Sequence, residues 1–327
     1  MTPKFASKEI HFLKSETEES AITPPDSFFS DLILSKTEPW KRFEKRLEDT
    51  PIPGDHFLCA VMKISDDLPD LFIEKVNTSF ENTFNLFLDH ERGVWEDLGD
   101  LAFIAAFWDY RDEQKGIDLL ISIKDRLANA LKTDILTGVS TFPYHNFSKM
   151  ETPENALKAL DHAAFFGTDS LTQFDAVSLN ISGDRFYHLN ETDLAKKEYL
   201  KGLEIKPKDI NLINSLGVCH GVLGELEEAA GQFERAVKIK PKDPMVIYNI
   251  GLLQQIDGKT DRAVAYLKKA HGIDSGIFEV ELLLSHLLVS QEQFEKALPH
   301  VEKAIDLNPQ SSAARRMKGQ ILLADNK

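Results

Sequence analysis

Small residues recur every 34 positions through the second half of the chain, where Gly183, Gly217, Gly251 and Ser285 form one column and a partial fifth unit begins at Gly319. A period of that length is the size of one helix-turn-helix, which cannot bury its apolar face alone and must stack on neighbours. The same register holds Ala195, Ala229, Ala263 and Ala297, then Gly202, Ala236, Ala270 and Ala304, and at the unit boundary Pro207, Pro241, Ser275 and Pro309. Paired helices approach closely only where small residues occupy the crossing, so these columns mark contact faces. Tyr199, Phe233, Leu267 and Val301, each four residues after the first alanine column, are expected to fill the seam between stacked units. Proline at the boundary ends one helix and resets the chain. The spacing predicts an all-α solenoid with units 176–209, 210–243, 244–277 and 278–311, closed by a capping helix over 312–323.

Unit 210–243 carries Leu216-Gly217, Gly224, Ala229, Phe233, Ala236 and Pro241 in place, and on these residues the array resembles the tetratricopeptide repeat (TPR) over about 150 residues. Ser182, Ser275 and Ser285 depart from the pattern. The resemblance implies a concave surface that binds a protein or peptide partner and no chemistry of its own. In that family positions 2, 5, 6 and 9 of each unit face inward, which gives Asn180 and Asp184, Asn211, Asn214 and Ser215, Met245, Tyr248, Asn249 and Leu252, then Glu279, Leu282 and His286. Asn180 and Asp184 stand where the carboxylate-clamp subset needs cations, so that mode is not expected. An asparagine amide is both donor and acceptor and can match a peptide unit, which singles out Asn211, Asn214 and Asn249 as contacts. The alternative is that they only solvate a groove.

The N-terminal half reads differently. Residues 1–49 are a polar arm closing on Thr23-Pro24-Pro25, followed by a short helix through Phe28, Phe29, Leu32, Ile33 and Leu34 and another over 38–47. From residue 50 to 175 strands and helices alternate: a buried strand 57–64, a helix 69–89 with Val76, Phe80 and Phe84 on one face, strands 93–96 and 101–108 around a turn at Leu98-Gly99-Asp100, a helix 112–131, a strand 135–142 and a helix 152–166. This order predicts an α+β open sheet with helices packed on one face. Only Thr168–Asp175 is left for a last strand, which is either very short or lost.

The turn Leu98-Gly99-Asp100-Leu101-Ala102, the strand Gly138-Val139-Ser140-Thr141-Phe142 and the helix Glu154–Phe166 fall in an order that resembles the GGDEF family, the diguanylate cyclase domain of the nucleotide-cyclase superfamily, over about 115 residues. That resemblance implies a metal-dependent nucleotide site with carboxylates on the first strand and in the turn. Here the strand reads Cys59-Ala60-Val61-Met62-Lys63-Ile64 and the turn's glutamate position is Leu101, so both ligands of a hard cation are gone. Leu98 replaces the glycine at which backbone would approach the guanine, and Asp89-His90-Glu91-Arg92 lacks the family's inhibitory Arg-x-x-Asp. The domain is expected to be a degenerate GGDEF, without metal or cofactor. A guanine-nucleotide or cyclic di-GMP sensor is the alternative, and an active cyclase is disfavoured.

Charge agrees. The net charge is −15; residues 1–175 carry 18 Lys and Arg against 32 Asp and Glu, whereas 176–327 carry 20 against 21. An acidic surface repels nucleic acid, anionic lipid and unaccompanied polyphosphate. Cys59 and Cys219 are too few for a disulfide framework or a zinc site and read as buried thiols. Glu96, Asp97 and Asp100 read as a solvated turn rather than a cation site, and His162 and His286 have no second histidine at ligand spacing. No apolar run reaches the length of a membrane span, and the N-terminus lacks an apolar core and cleavage site for export. The expectation is a cytoplasmic, noncatalytic adaptor, bacterial by analogy with the combination of domains, that recruits a protein in signalling or assembly.

Overall fold

The structure is a computed structural model that describes residues 11–13, 32, 36–53, 56–64, 73–87, 92–108, 110 and 112–325. It divides into two compact units, one of residues 16–182 and one in which residues from 1–15 join 183–327. Residues 11–13 thus belong with the repeats, and the boundary before the repeats lies between 182 and 183, against an expected 175/176. The expected helix around Phe28 lies outside the described residues, apart from Leu32, which is helical and buried.

The first unit contains α1 (Glu38–Asp49), β1 (Phe57–Ile64), α2 (Ile73–Phe87), β2 (Gly93–Gly99), β3 (Ala102–Phe107), α3 (Glu113–Leu131), β4 (Ile135–Phe142), α4 (Thr152–Ala163) and β5 (Leu171–Gln173). The sheet order is β2-β3-β1-β4-β5, antiparallel throughout except for the parallel pair β4-β5. β1 runs down the middle and is buried over its whole length. Its alternate residues feed two cores. Leu58, Ala60, Met62 and Ile64 pack with Val76, Phe80 and Phe84 of α2 and Leu120, Ile123 and Leu127 of α3. Phe57, Cys59 and Val61 pack with Trp40, Phe43 and Leu47 of α1 and Ala156, Leu157 and Leu160 of α4. The sheet is thus covered on both faces, not one. A strand buried on both sides should be apolar along nearly its whole length, and Phe57–Ile64 is so except at Lys63 near its end.

Glycine at 138 lets α4 lie directly on β4: a Cβ there would sit 2.0 Å from the Leu160 nitrogen and 2.3 Å from the Ala156 carbonyl oxygen. The β2-β3 loop is Asp100-Leu101, one residue beyond the expected turn, with Gly99 paired to Ala102 and a bulge between Asp97 and Gly99. Both loop residues have positive φ, 49° and 57°, as a two-residue hairpin matched to strand twist requires. Leu98 is buried in the α1/α4 core. The last strand is present and three residues long.

The repeats form α5 (Ala176–His188), α6 (Thr192–Ile205), α7 (Ile210–Leu223), α8 (Leu226–Ile239), α9 (Pro244–Ile256), α10 (Thr260–Ile273), α11 (Phe278–Ser290), α12 (Phe294–Leu307) and α13 (Ser312–Asp325). Every fourth residue after the first alanine column is fully buried: Tyr199, Phe233, Leu267 and Val301. Each faces the small column. A Cβ at Gly183 would lie 2.4 Å from the Tyr199 ring, one at Gly217 2.6 Å from the Phe233 ring, and one at Gly251 3.2 Å from Leu267. The larger the residue opposite, the less room remains, and the unit with Val301 in the seam column carries Ser285 in the small column. First helices are started by a second 34-residue column: Asp175, Asp209, Asp243 and Ser311 each accept backbone N–H groups of the following turn, whereas Ile277 at the same register does not.

The gradient in that seam has a measurable consequence. Gly217→Ala should overpack against Phe233 and lower stability by about 1–3 kcal/mol, and Gly251→Ala should cost clearly less because Leu267 can yield. Denaturation midpoints of the two full-length variants check the order, and equal midpoints would contradict it.

Candidate peptide-binding groove

Three side chains on the first helices of units two and three, all buried, converge on one segment of the chain itself. Asn214 of α7 and Asn249 of α9 are held together by a hydrogen bond from Asn249 Nδ2 to Asn214 Oδ1, 2.9 Å. With its amide so oriented, Asn249 accepts the Leu13 N–H at Oδ1, 2.7 Å, while Nδ2 of Asn249 and Nδ2 of Asn214 both donate to the Leu13 carbonyl at 2.6 and 2.9 Å. Tyr248 donates its hydroxyl to the His11 carbonyl, 3.0 Å. Burial raises the Tyr248 hydroxyl well above its ordinary pKa, with Glu279 adding to the effect, so the donor keeps its proton.

Between the two gripped residues Phe12 is turned away and buried. Its ring stacks on Phe233 with centroids 5.8 Å apart and planes at 28°. It also fills the space left by Gly221, where a Cβ would lie 2.6 Å from the ring. The grip is thus a backbone bracket of amide groups plus one aromatic pocket. Buried amides and carbonyls are costly without partners, and here the asparagines and the segment satisfy each other.

The other residues expected in the groove are placed differently. Asn211 is exposed at the start of α7, its N–H taken by the Asp209 cap, and Met245 is half-buried at the start of α9. Leu282 and Leu252 are fully buried among packed helices. Asn180 is a buried residue of the other unit. Burial and, secondarily, Arg316 push the half-buried His286 imidazole below its ordinary pKa. Phe12 was missed by sequence reasoning, although Ile10-His11-Phe12-Leu13 is an apolar run inside an otherwise polar arm.

The sequence also hid a cluster further along the array. Glu281 of α11 is fully buried and accepts from two imidazoles, His271 Nδ1 of α10 at Oε1, 2.5 Å, and His300 Nδ1 of α12 at Oε2, 2.7 Å. The three ligand atoms lie within 4.8 Å of one another, a set of types that could hold a divalent ion, but each carboxylate oxygen is already engaged by one imidazole. The residues are 10 and 19 apart on three helices, which no linear spacing rule detects. Burial alone would raise the Glu281 carboxyl, but hydrogen bonds from His300 and His271 outweigh it and hold the group below its ordinary value of 4.5. A lowered folded pKa means that the stabilisation is complete above 4.5 and is lost as pH falls through the lower folded value. Glu281→Gln should therefore cost about 1–3 kcal/mol at pH 7, with the gap from the unsubstituted chain closing in acid. Urea titrations at neutral and acidic pH check it; a gap constant with pH would refute the assignment.

Residues 255–321 match the family model of the tetratricopeptide repeat. Among curated proteins none matches. Similar solved structures include a thermophilic TPR protein of Thermus thermophilus, 20% identical over 52% of this chain and 91% of that one, with a TM-score of 0.42. PilF of Pseudomonas aeruginosa is 18% identical over 54% of this chain and 76% of that one, TM-score 0.45. YrrB, a TPR protein with an unusual peptide-binding site, is 19% identical over 46% and 78%, TM-score 0.39. The family match runs from the end of α9 into α13, and the 34-residue columns continue upstream of it through α5 to α8.

Proposed function

We propose that the chain is a noncatalytic adaptor that captures a protein partner by gripping an extended segment in the groove of α7 and α9, in bacterial signalling or assembly. The observation that carries this reading is the Asn214–Asn249 bracket, which engages both the N–H and the C=O of one residue, Leu13. Backbone recognition of this kind supplies affinity, and a side-chain pocket supplies selection.

The sheet unit supports the noncatalytic part. We read it as a degenerate GGDEF-like domain, since its interleaved order β2-β3-β1-β4 suits that resemblance while its turn lacks the chemistry. Lys63, buried at the end of β1, directs its ammonium to the Asp100 carbonyl at 3.3 Å, where a cation-binding turn would tolerate no such charge. Glu96 is engaged by Arg42 and Arg46 of α1, and Asp97 accepts the Gly99 N–H. Two of the turn's three acids thus act within the fold.

The test is a full-length Asn214→Ala/Asn249→Ala variant as bait beside the unsubstituted chain. Losing several hydrogen bonds to one peptide unit should weaken capture by about 2 kcal/mol or more, which is over tenfold. Proteins recovered equally by both baits, with circular dichroism unchanged, would reject the groove as the capture surface.

A further inference from the structure

The groove is already filled by its own chain. Resting on the adaptor reading above, we propose that residues 11–13 are an intramolecular ligand, and that the partner must present a segment of the same chemistry to displace it: an aromatic residue followed by any residue except proline, without charge at the aromatic position.

Each element of that description comes from a contact. The residue at the Leu13 position must have an N–H, because Asn249 Oδ1 accepts it at 2.7 Å, and this excludes proline. Its carbonyl must lie within reach of two amide donors. The preceding side chain enters a pocket made by the Phe233 face and the bare backbone of Gly221, which fits a flat ring and would bury a charge without a partner. One residue earlier only a carbonyl is read, by the Tyr248 hydroxyl. The side chains at positions 11 and 13 take no part in these hydrogen bonds, so selection concentrates on position 12.

Tethering makes even a weak self-ligand effective. A segment on the same chain competes intramolecularly, at an effective concentration set by its tether, and a free competitor's apparent affinity falls by the fraction of chains with the groove open. Gly221 is the informative control. It lies in the last turn of α7, where alanine is a better helix former, so Gly221→Ala closes the pocket without a helix penalty.

The probe is a fluorescein-labelled peptide copying residues 8–16, titrated into the full-length chain and read by anisotropy. Phe12→Ala should bind it at least tenfold tighter than the unsubstituted chain, since the tethered competitor is weakened. Adding Gly221→Ala to Phe12→Ala should remove that gain, and a probe with proline in the Leu13 position should not bind either chain. Equal affinity of the probe for the unsubstituted chain and the Phe12→Ala variant would overturn the proposal, as would binding of the proline probe. A concentration-dependent dimer in sedimentation that Phe12→Ala abolishes would also overturn it, by assigning the segment to a second copy. The two readings fail separately: an Asn214→Ala/Asn249→Ala bait that captures normally sinks the adaptor groove while leaving the probe results standing, whereas equal probe affinities with capture lost sink only the self-ligand.

Discussion

The close approach of paired helices at Gly217 and Phe233 is the contact on which the repeat unit turns. With no side chain at 217, α7 can press against the Phe233 ring of its paired helix α8. Phe233 then serves twice, since it also receives the Phe12 ring. A seam residue that completes the core and receives the Phe12 ring ties the packing of the repeat to the seating of residues 11–13. Truncating it would leave a cavity in the array and remove the stacking partner at once, which is why Gly221, rather than Phe233, separates the two roles.

Polar groups in the array follow one rule despite different jobs. Asn214, Asn249 and Glu281 are all buried, and a buried polar group is tolerable only with its partners in place. For Glu281 the partners are two imidazoles from flanking helices, so the cluster links three helices through one carboxylate. For the asparagines one partner is the other amide and the rest come from residues 11–13. Removing the segment would leave donors and an acceptor to be satisfied by water or another peptide, so the free groove is a demanding surface.

The repeats were legible because their physics is periodic. One 34-residue register sets the small column, the seam column and the closing proline, and each shows in sequence as residue size alone. The capping column of Asp175, Asp209, Asp243 and Ser311 was equally available in that register, but it required comparing polar residues just before each helix instead of apolar ones inside it. The groove was legible only in part: amide chemistry pointed to Asn214 and Asn249, while inward register also nominated Leu282, which helix packing buries. Phe12 and the Glu281 cluster depend on residues distant in sequence, and no local pattern marks such pairings. In the sheet unit the element order could be read, but not the second helical layer. An apolar strand such as Phe57–Ile64 shows burial on both sides without naming what covers each face, and α1 was read as part of an arm when its Trp40, Phe43 and Leu47 stripe closes the second core.

The same logic explains why the excess acid of the sheet unit does not imply a cation site. Carboxylates that bind a metal must keep lone pairs turned toward a common point. In the β2-β3 hairpin two of them are engaged elsewhere: Glu96 by the arginines of α1 and Asp97 by the Gly99 N–H, while the Lys63 ammonium meets the Asp100 backbone carbonyl. The positive φ values of Asp100 and Leu101 follow from a two-residue hairpin on twisted strands, with Leu101 packed against the α2/α3 core, so the turn's backbone is accounted for by the sheet it closes. In the repeats, by contrast, polar side chains do converge: two amides and a hydroxyl are aimed at the backbone of one short segment.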